Sequence, residues 1–522
     1  MLTLDGRTGE GGGQLVRIAV ALAALTGQPL RVINVRGNRR FGGGLKPQHV
    51  AAVDWLAAAT HATLDGVRPG STTFTFKPRH VLLPHDTSPG NPIILRAATP
   101  AASTSLMLQA VLPYLLFARP GLVKAGGVGP PVPAAPVSID LYGGTHVSFA
   151  PTFDYLDQVL FPTLEDWFGV RVERELVQAG WGTGPKHAEA GVVRLVVHPI
   201  ISTTTQAAAV EGANAIGELI PRMPTLFPNA SEKSNQGVPV ITAIDATVLA
   251  PADLLDPLAG ALAHEVAHNE VLSPDPTALT VDLQFQRIEE SGHDSRVYVL
   301  LVARTYATDG GGGTIVRRWG RDYLGTETIK RGKTGGGGGG SGKMKGAVGK
   351  RGAKGRKAET STDLGALEGG GFSLLCDRIA RRVVLDLAAE VSQGGCGDAY
   401  LQDQVVVFQA LAAGQTGFWR GSGAVQTAVA KEEVVEKLEQ ATTTVVELQE
   451  AVEKLHLQGV EGGEKAGTEE KEESTADNMA GPFGQGSMHA ATARWVTAQI
   501  LPAVRWSDNG TVCNGVGWAG KK

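Results

Sequence analysis

Short apolar strands alternate with alanine-rich helices through the first 185 residues, and this alternation restricts the chain to α/β folds. A chain of 522 residues exceeds what one hydrophobic core usually supports, so two or more domains are expected. Apolar residues recur at helical spacing in Gln14–Leu25, Gln48–Ala58 and Ser103–Phe117, whereas Arg31–Val35 and Thr72–Phe76 alternate like half-buried strands.

The pattern changes between about residues 195 and 300 and indicates a smaller inserted α/β domain. Strand-like Val192–Val197 precedes a long helix over Asp253–Val271, and further strands are predicted near Leu279 and Val297. We therefore predict a main domain formed by residues 1–185 and 301–522, with the insert at 186–300 between its two parts.

Three segments have compositions that are unusual inside a compact fold. We therefore predict flexible insertions near 334–345 and 425–485. Thr334–Lys357 begins as a glycine linker and ends strongly basic, and Gly463–Asp477 has the composition of a solvated linker. Val434–Leu455 carries about three heptads. That helix is short for an independent coiled coil, so it either pairs with another helix or, as we favour, packs against its own domain.

Composition narrows the class of protein. Hydrophobic residues make up 42% and charged residues 19%, as in a soluble globular protein. The net charge of −4 argues against non-specific coating of nucleic acid but allows a local basic site. Three cysteines without metal-ligand spacing indicate a reducing compartment. Neither a signal peptide nor a membrane span is recognised, so we expect a protein that is not secreted and has no membrane partner.

The segment DGRTGEGGGQLVR, from Asp5 to Arg17, places consecutive glycines between a strand and a helix. Glycines there let backbone N–H groups approach an anion, although such a turn is as often purely structural. The pattern matches neither the Walker motif nor the dinucleotide fingerprint. Glu10 would repel a phosphate unless a divalent metal or a substrate hydroxyl lies between them, which makes it a candidate ligand for either.

Basic residues cluster in VRGNRRFGGGLKPQH, a glycine-rich loop between a strand and a helix. Cations on such a loop usually form a solvated surface, but these follow a strand at the sheet edge where α/β proteins bind ligands. Guanidinium groups bind phosphate oxygens in pairs, so a terminal phosphate is the natural ligand. The cations are Arg36, Arg39, Arg40 and Lys46.

The C-terminal part holds two further candidates. In GDAYLQDQ, Tyr400, Asp403 and Gln404 cluster within about one turn at the start of an apolar helix. In GSMHAATARW, His489 follows a glycine and precedes a helix, where an imidazole can meet a ligand. A lone histidine is more often structural than catalytic, so both readings stay open at this point.

The motif HEVAH, His264–His268, matches the zinc-protease pattern of two imidazoles on one helical face with a carboxylate between them. No third ligand is evident, because Glu289 and Glu290 are available but belong to no motif. We favour the interpretation that this motif is a solvated helix face. Stoichiometric zinc bound by His264 and His268 would instead support a zinc protease.

Taken together, these motifs resemble the RNA 3'-terminal phosphate cyclase family. Seven segments appear in family order: DGRTGEGGGQLVR, LRVINVRGNRR with GLKPQH, TSLMLQAVLPYLLFA, YGGTHVSFAPTFDYLDQVLFPTL, GAVGKRG, AYLQDQ and SMHAAT. The resemblance implies repeated βαβαββ-type units with a smaller inserted α/β domain. It is faint between about residues 195 and 340, and the family's proline-containing glycine motif appears as GTGPKHAEAGVV without its glycine triplet.

The resemblance implies an ATP-dependent ligase that forms AMP and pyrophosphate while closing an RNA 3'-terminal phosphate into a 2',3'-cyclic phosphodiester. A histidine carries AMP as a covalent intermediate, and Mg²⁺ or Mn²⁺ assists. By position, His489 matches that histidine, and Glu10 the metal or RNA-end ligand. Residues matching the nucleotide pocket are Gln109, Pro151, Tyr400, Asp403 and Gln404. Residues matching the phosphate-binding end are Arg17, Arg36, Arg39 or Arg40, and Gln48.

The main alternative is the family's non-catalytic branch, proteins that act in ribosomal RNA processing. Those lack the adenylylated histidine and the intact EGGGQ turn, whereas this chain has both. The basic stretch Lys343–Lys357 permits nuclear import, so we expect a nuclear protein, in the nucleoplasm, with the cytoplasm as the alternative.

Overall fold

The structure is a computed structural model, and it describes residues 1–39, 42–79, 90–117, 136–182, 190–200, 239–274, 281–308, 314–325, 370–420, 483–484 and 486–518. The predicted linkers Thr334–Lys357 and Gly463–Asp477 and the heptad segment Val434–Leu455 lie outside these residues. Arg40, one of the predicted phosphate-binding residues, also lies outside them.

The first four strands form one sheet in the order β1-β2-β4-β3. Strands β1 and β2 run parallel with α1 as the crossover helix, and β4 is antiparallel to both β2 and β3. This is a βαβαββ unit, so the predicted α/β class is confirmed. Its elements are β1 (Leu2–Asp5), α1 (Gly13–Thr26), β2 (Leu30–Ile33), α2 (Pro47–Thr60), β3 (Thr63–Asp65) and β4 (Phe74–Lys77).

A second sheet repeats this arrangement in the order β5-β6-β8-β7. Strands β5 and β6 are parallel, and β8 is antiparallel to both β6 and β7. The elements are β5 (Ile93–Arg96), α3 (Thr104–Phe117), β6 (Val137–Gly143), α4 (Phe153–Tyr155), a π-helical turn (Leu156–Leu160), α5 (Phe161–Phe168), β7 (Val172–Gln178) and β8 (Gly191–Val197).

A third sheet, in the order β10-β9-β11-β12, packs with α6 and α7 around its own apolar core. The elements are β9 (Ala243–Ala250), α6 (Ala252–Ala267), β10 (Asp282–Glu290), β11 (Val297–Thr308), β12 (Thr314–Gly325) and α7 (Gly370–Ser392). The predicted helix over Asp253–Val271 is too long. It ends at Ala267 because Asn269 Oδ1 accepts the N–H groups of Val271 and Leu272 and closes a turn. The predicted domain limits at 185 and 300 stay a prediction.

The C-terminal part returns to the core of the first two sheets. It contains α8 (Ala399–Leu411), β13 (Ala413–Gly417), α9 (Met488–Ile500), β14 (Arg505–Ser507) and β15 (Val512–Val516). Helix α1 packs against α2, α3 and α9, and every residue from Gly13 to Leu25 is buried. A helix that is buried along its whole length needs packing neighbours on every side, and α9 is one of these neighbours.

The three cysteines, Cys376, Cys396 and Cys513, are buried and free. Within the described ranges, no helix combines the length and the apolarity needed to cross a membrane.

Candidate active site

The glycine turn forms the centre of the candidate site. Gly9 and Gly11 adopt the left-handed conformation, with φ of 65° and 61°, which side chains disfavour. Gly12 is the N-cap residue of α1 and provides no side-chain cap. The first N–H groups of α1 therefore lack a capping side chain, and the positive end of its dipole faces the turn.

Glu10 lies in this turn and meets residues from two distant parts of the chain. Its side chain is only 7% exposed, and Arg39 forms an ion pair with Oε1. Its Oε2 is 3.8 Å from Nδ1 of His489. Its backbone N–H donates to Oγ1 of Thr492 at 2.8 Å, which ties the turn to the first turns of α9. The structure thus brings the predicted Glu10, Arg39 and His489 together.

His489 is the second residue of α9, a helix whose N-cap Ser487 accepts the N–H of Ala490 at 3.1 Å. The imidazole is 46% exposed, so a ligand can reach it. Burial of the remainder, together with the charges of Arg17 and Arg39, lowers the pKa of His489 to about 4. The imidazole is therefore neutral at pH 7 and keeps a free lone pair for attack on an electrophile.

Arg17 is a buried cation at the base of the site and is 6% exposed. Its Nε donates to Oε1 of Gln109 at 2.5 Å and its NH2 to Oε1 of Gln14 at 2.6 Å. Burial lowers the pKa of Arg17 to about 10, against the opposing effect of Asp403. The guanidinium remains charged at pH 7, and its hydrogen bonds join Gln109 and Gln14 to the base of the site.

Asp403 lies on α8 and changes its charge in the physiological range. Burial and the charge of Asp398 raise its pKa to about 7, although Arg17 acts in the opposite direction. The carboxyl group is therefore close to half protonated at neutral pH.

Gln109 and Gln404 line one small cavity together with Ser105, Leu108 and Phe408. Its volume is about 20 Å³, which is room for about one water. Ser105 donates to the carbonyl oxygen of Pro151 at 2.7 Å and so holds Pro151 near Gln109, one turn further along α3. Gln404 donates to the carbonyl oxygen of Tyr400 at 3.2 Å, and Tyr400 itself is 46% exposed.

Arg36 lies in the basic loop between β2 and α2, and Gln48 lies in the first turn of α2. Arg36 has a positive φ of 55° and donates through NH1 to the carbonyl oxygens of Gly42 and Gly44, at 3.2 and 3.4 Å. One nitrogen of its guanidinium thus shapes the loop. Gln48 is 9% exposed in the first turn of α2, and we find no contact that joins it to Glu10 or His489 in the described part of the chain.

Sequence reasoning missed His49, the neighbour of Gln48. It is 3% exposed, and its Nδ1 accepts the N–H of Lys46 at 3.1 Å, which places the proton of the neutral ring on Nε2. This Nε2 is buried, has no hydrogen-bond partner among the described residues, and lies beside Gly13, where a Cβ would be 2.7 Å from it. Burial and Arg17 lower the pKa of His49 well below its usual value. The only sequence signal is its place in the KPQH segment.

The HEVAH motif lies apart from this cluster, at the end of α6. The two imidazole rings stack at 4.2 Å, and His264 is 67% exposed. No group of three histidine, cysteine, aspartate or glutamate side chains with metal-binding geometry occurs in the parts of the chain that the structure describes. Among the residues that the structure describes, the pair therefore has no third ligand of the kind that a protease zinc requires.

The sequence matches one family along most of its length. The family model described as RNA 3'-terminal phosphate cyclase matches residues 8–449. Proteins named RNA 3'-terminal phosphate cyclase are similar over shorter stretches. The one from Methanosarcina barkeri is 40% identical over 165 residues, 32% of this chain and 43% of that protein. The one from Methylococcus capsulatus is 39% identical over 199 residues, 38% of this chain and 48% of that protein. In both cases the match spans less than half of the relative's length. The extent of the family match, together with the repeated βαβαββ units, shows that the chain belongs to the RNA 3'-terminal phosphate cyclase family.

Proposed function

We propose that the protein uses ATP to convert an RNA 3'-terminal phosphate into a 2',3'-cyclic phosphodiester, as an AMP- and pyrophosphate-forming ligase. The observation that carries this proposal is the neutral, half-exposed imidazole of His489 beside Glu10, with Arg17 and Arg39 close by. His489 thus lies near two cations and near the N-terminus of α1, which has no capping side chain. Such surroundings suit the transfer of a negatively charged phosphoryl group.

In the first step, a ring nitrogen of His489 attacks the α-phosphorus of ATP. The N–P bond forms as the P–O bond to pyrophosphate breaks, and pyrophosphate leaves with the electron pair. With a pKa of about 4, the imidazole needs no base to free its lone pair at neutral pH. Arg17 and Arg39 offset the negative charge on the transferred group.

The second and third steps take place on the RNA. The terminal 3'-phosphate attacks the phosphorus of the histidine-bound AMP, the N–P bond breaks, and His489 is regenerated. The neighbouring 2'-OH then attacks the activated 3'-phosphorus and gives its proton to water, while AMP leaves with the electron pair of the broken P–O bond. Positioning dominates both steps, since the RNA supplies each nucleophile.

The residues around Tyr400 suit the base of ATP. The cavity shared by Gln109 and Gln404 admits about one water, so a purine has to bind outside it, against the exposed ring of Tyr400. Pro151, held from α3, supplies a second apolar surface in this region. The charge of Asp403, on the same helix as Tyr400, acts on Arg17 and raises the pKa of its guanidinium against the effect of burial.

A divalent metal, Mg²⁺ or Mn²⁺, fits the site only if the substrates supply most of its ligands. Glu10 offers one carboxylate, whose Oε2 has no hydrogen-bond partner among the described residues, while Arg39 pairs with Oε1. Phosphate oxygens and water would complete the coordination shell, as is usual for Mg²⁺. The metal, when bound, would neutralise charge on the phosphates.

The proposal is tested by incubating the protein with ATP, Mg²⁺ or Mn²⁺, and an RNA that ends in a 3'-phosphate. We expect phosphatase-resistant RNA ends, formed together with AMP and pyrophosphate. The same RNA with a 3'-hydroxyl is the control and should not react. Failure to cyclise, with no label bound from α-labelled ATP, would instead favour the non-catalytic role in ribosomal RNA processing.

The Gly12→Ala variant tests the geometry of the turn. A Cβ at Gly12 would overlap the carboxylate of Glu10, whereas its φ of −119° lies outside the left-handed region that disfavours side chains. We expect cyclisation to fall about 100-fold because Glu10 is displaced, with little change in thermal unfolding. Gly260→Ala, at a position on α6 with open space, is the control and should leave activity unchanged. Full activity of Gly12→Ala would show that Glu10 need not occupy its present position.

A further inference from the structure

The ring of Tyr400 is supported from within the protein and open towards solvent. The central carbon of the Arg321 guanidinium lies 4.4 Å from the ring centroid, over one face. The ring of Tyr155 meets it nearly perpendicularly, at 5.9 Å and 77°. Tyr400 is nevertheless 46% exposed. Arg321 occupies one face, so a planar ligand that stacks on this ring has the opposite face to cover.

Arg321, on β12, is fixed by two carboxylates. Its guanidinium forms an ion pair with Glu390 of α7, and its NH1 is 3.6 Å from Oδ1 of Asp398. The same NH1 donates to the carbonyl oxygen of Gly320 at 2.9 Å. Burial alone would lower the pKa of Arg321, but Asp398 and Glu390 hold it above its usual value. The cation under Tyr400 is thus permanent and held in one orientation.

Asp398 links this cation to the helix that carries Tyr400. It is fully buried and is the N-cap residue of α8, accepting the N–H groups of Tyr400 and Leu401 at 2.8 and 2.9 Å. It also accepts the hydroxyl of Tyr155 at 2.7 Å and the N–H of Gly320 at 2.8 Å. One carboxylate therefore sets the position of both the ring and the guanidinium.

We propose that Arg321 is a positioning residue for the base of ATP, because it holds the Tyr400 ring in place and polarises it. A cation over one aromatic face draws electron density towards itself, which weakens the repulsion between the opposite face and a stacked purine. This inference rests on the proposed function, in which Tyr400 receives the base. The inference adds Arg321, a residue of the third sheet, to a nucleotide site whose other residues belong to the part of the protein built on the first two sheets.

The Arg321→Lys variant keeps the positive charge but loses the planar group under the ring. We expect the KM for ATP in the adenylylation of the protein to rise about tenfold, with kcat within about twofold of wild type, because the chemistry at His489 is untouched. Arg318→Lys is the matched control on the same strand. Its guanidinium pairs with Asp166 at 2.7 Å, so the KM should stay unchanged.

A second set of variants separates positioning from a general structural effect. Tyr400→Leu removes the ring, so adding Arg321→Lys to it should raise the KM no further. Additive increases would show that Arg321 acts elsewhere and would overturn the inference. If Arg321→Lys does not fold, Glu390→Gln replaces it, because the loss of the ion pair between Glu390 and Arg321 loosens the same guanidinium. This variant should also raise the KM for ATP, but only in a protein that still has Tyr400.

Failure of the proposed function and failure of the role of Arg321 give different experimental results. A wild-type protein that takes up no label from α-labelled ATP would overturn the proposed function and this role with it. A labelled wild type whose KM for ATP is the same in Arg321→Lys would overturn the role of Arg321 alone.

Discussion

The His489→Asn variant is expected to take up no label from α-labelled ATP and to form no cyclic phosphate. Asparagine is close in size and can donate a hydrogen bond, but it lacks the nucleophilic ring nitrogen. Because the imidazole is 46% exposed, the substitution should change the free energy of unfolding of the protein by no more than about 0.5 kcal/mol. Label incorporation after denaturing electrophoresis and a thermal unfolding curve measure both effects.

Wild type should take up no label from γ-labelled ATP, because pyrophosphate leaves in the attack. The bond should be labile to acid and stable to alkali, as a phosphoramidate is. His264→Asn is the matched control, a histidine on α6 that is 67% exposed, and it should be labelled like wild type. Label on His489→Asn would move the covalent step to another residue. Since the pKa of His489 is about 4, protonation of this residue should not slow labelling between pH 8 and pH 6.

Local periodicity was sufficient to predict much of the fold. The predicted helices Gln14–Leu25, Gln48–Ala58 and Ser103–Phe117 correspond to α1, α2 and α3 within two residues at each end. These three segments are rich in alanine and leucine, which have high helix propensities, so their composition favours a helix as strongly as their periodicity does. The helix over Asp253–Val271 was predicted too long, because its apolar pattern continues past the point where Asn269 caps the following turn.

The assembly of the site could be predicted only in part. Glycines, arginines and a histidine in separate motifs indicate phosphate chemistry, but no local pattern shows that the N–H of Glu10 meets Thr492, 482 positions further along. The contact between Arg321 and Tyr400 was missed for the same reason, since an arginine in a strand carries no signal until the fold brings it to Tyr400. Long-range packing, which depends on the buried surface of α1, brings these groups together.

The Glu10→Gln variant is expected to lose about 100- to 1000-fold in cyclisation while it folds as well as wild type. The substitution keeps the shape of a side chain that is 7% exposed and removes its charge. Arg39, the partner left without a carboxylate, is 45% exposed and is solvated at little cost. Glu10→Ala should lose at least as much activity, because it removes the oxygen near His489 as well.

A metal titration then separates the two roles of Glu10. If Glu10 holds a divalent ion, the Mg²⁺ or Mn²⁺ concentration for half-maximal activity should rise in Glu10→Gln, because one charged ligand is lost. If Glu10 orients only the RNA end or His489, that concentration should stay the same while the maximal rate falls. Glu289→Gln is the control, since this carboxylate on β10 also pairs with an arginine, Arg287, at 2.7 Å. Unchanged turnover of Glu10→Gln across the titration would show that Glu10 takes no part in the reaction. The three glycines of the turn would then serve only to let the backbone approach a phosphate closely.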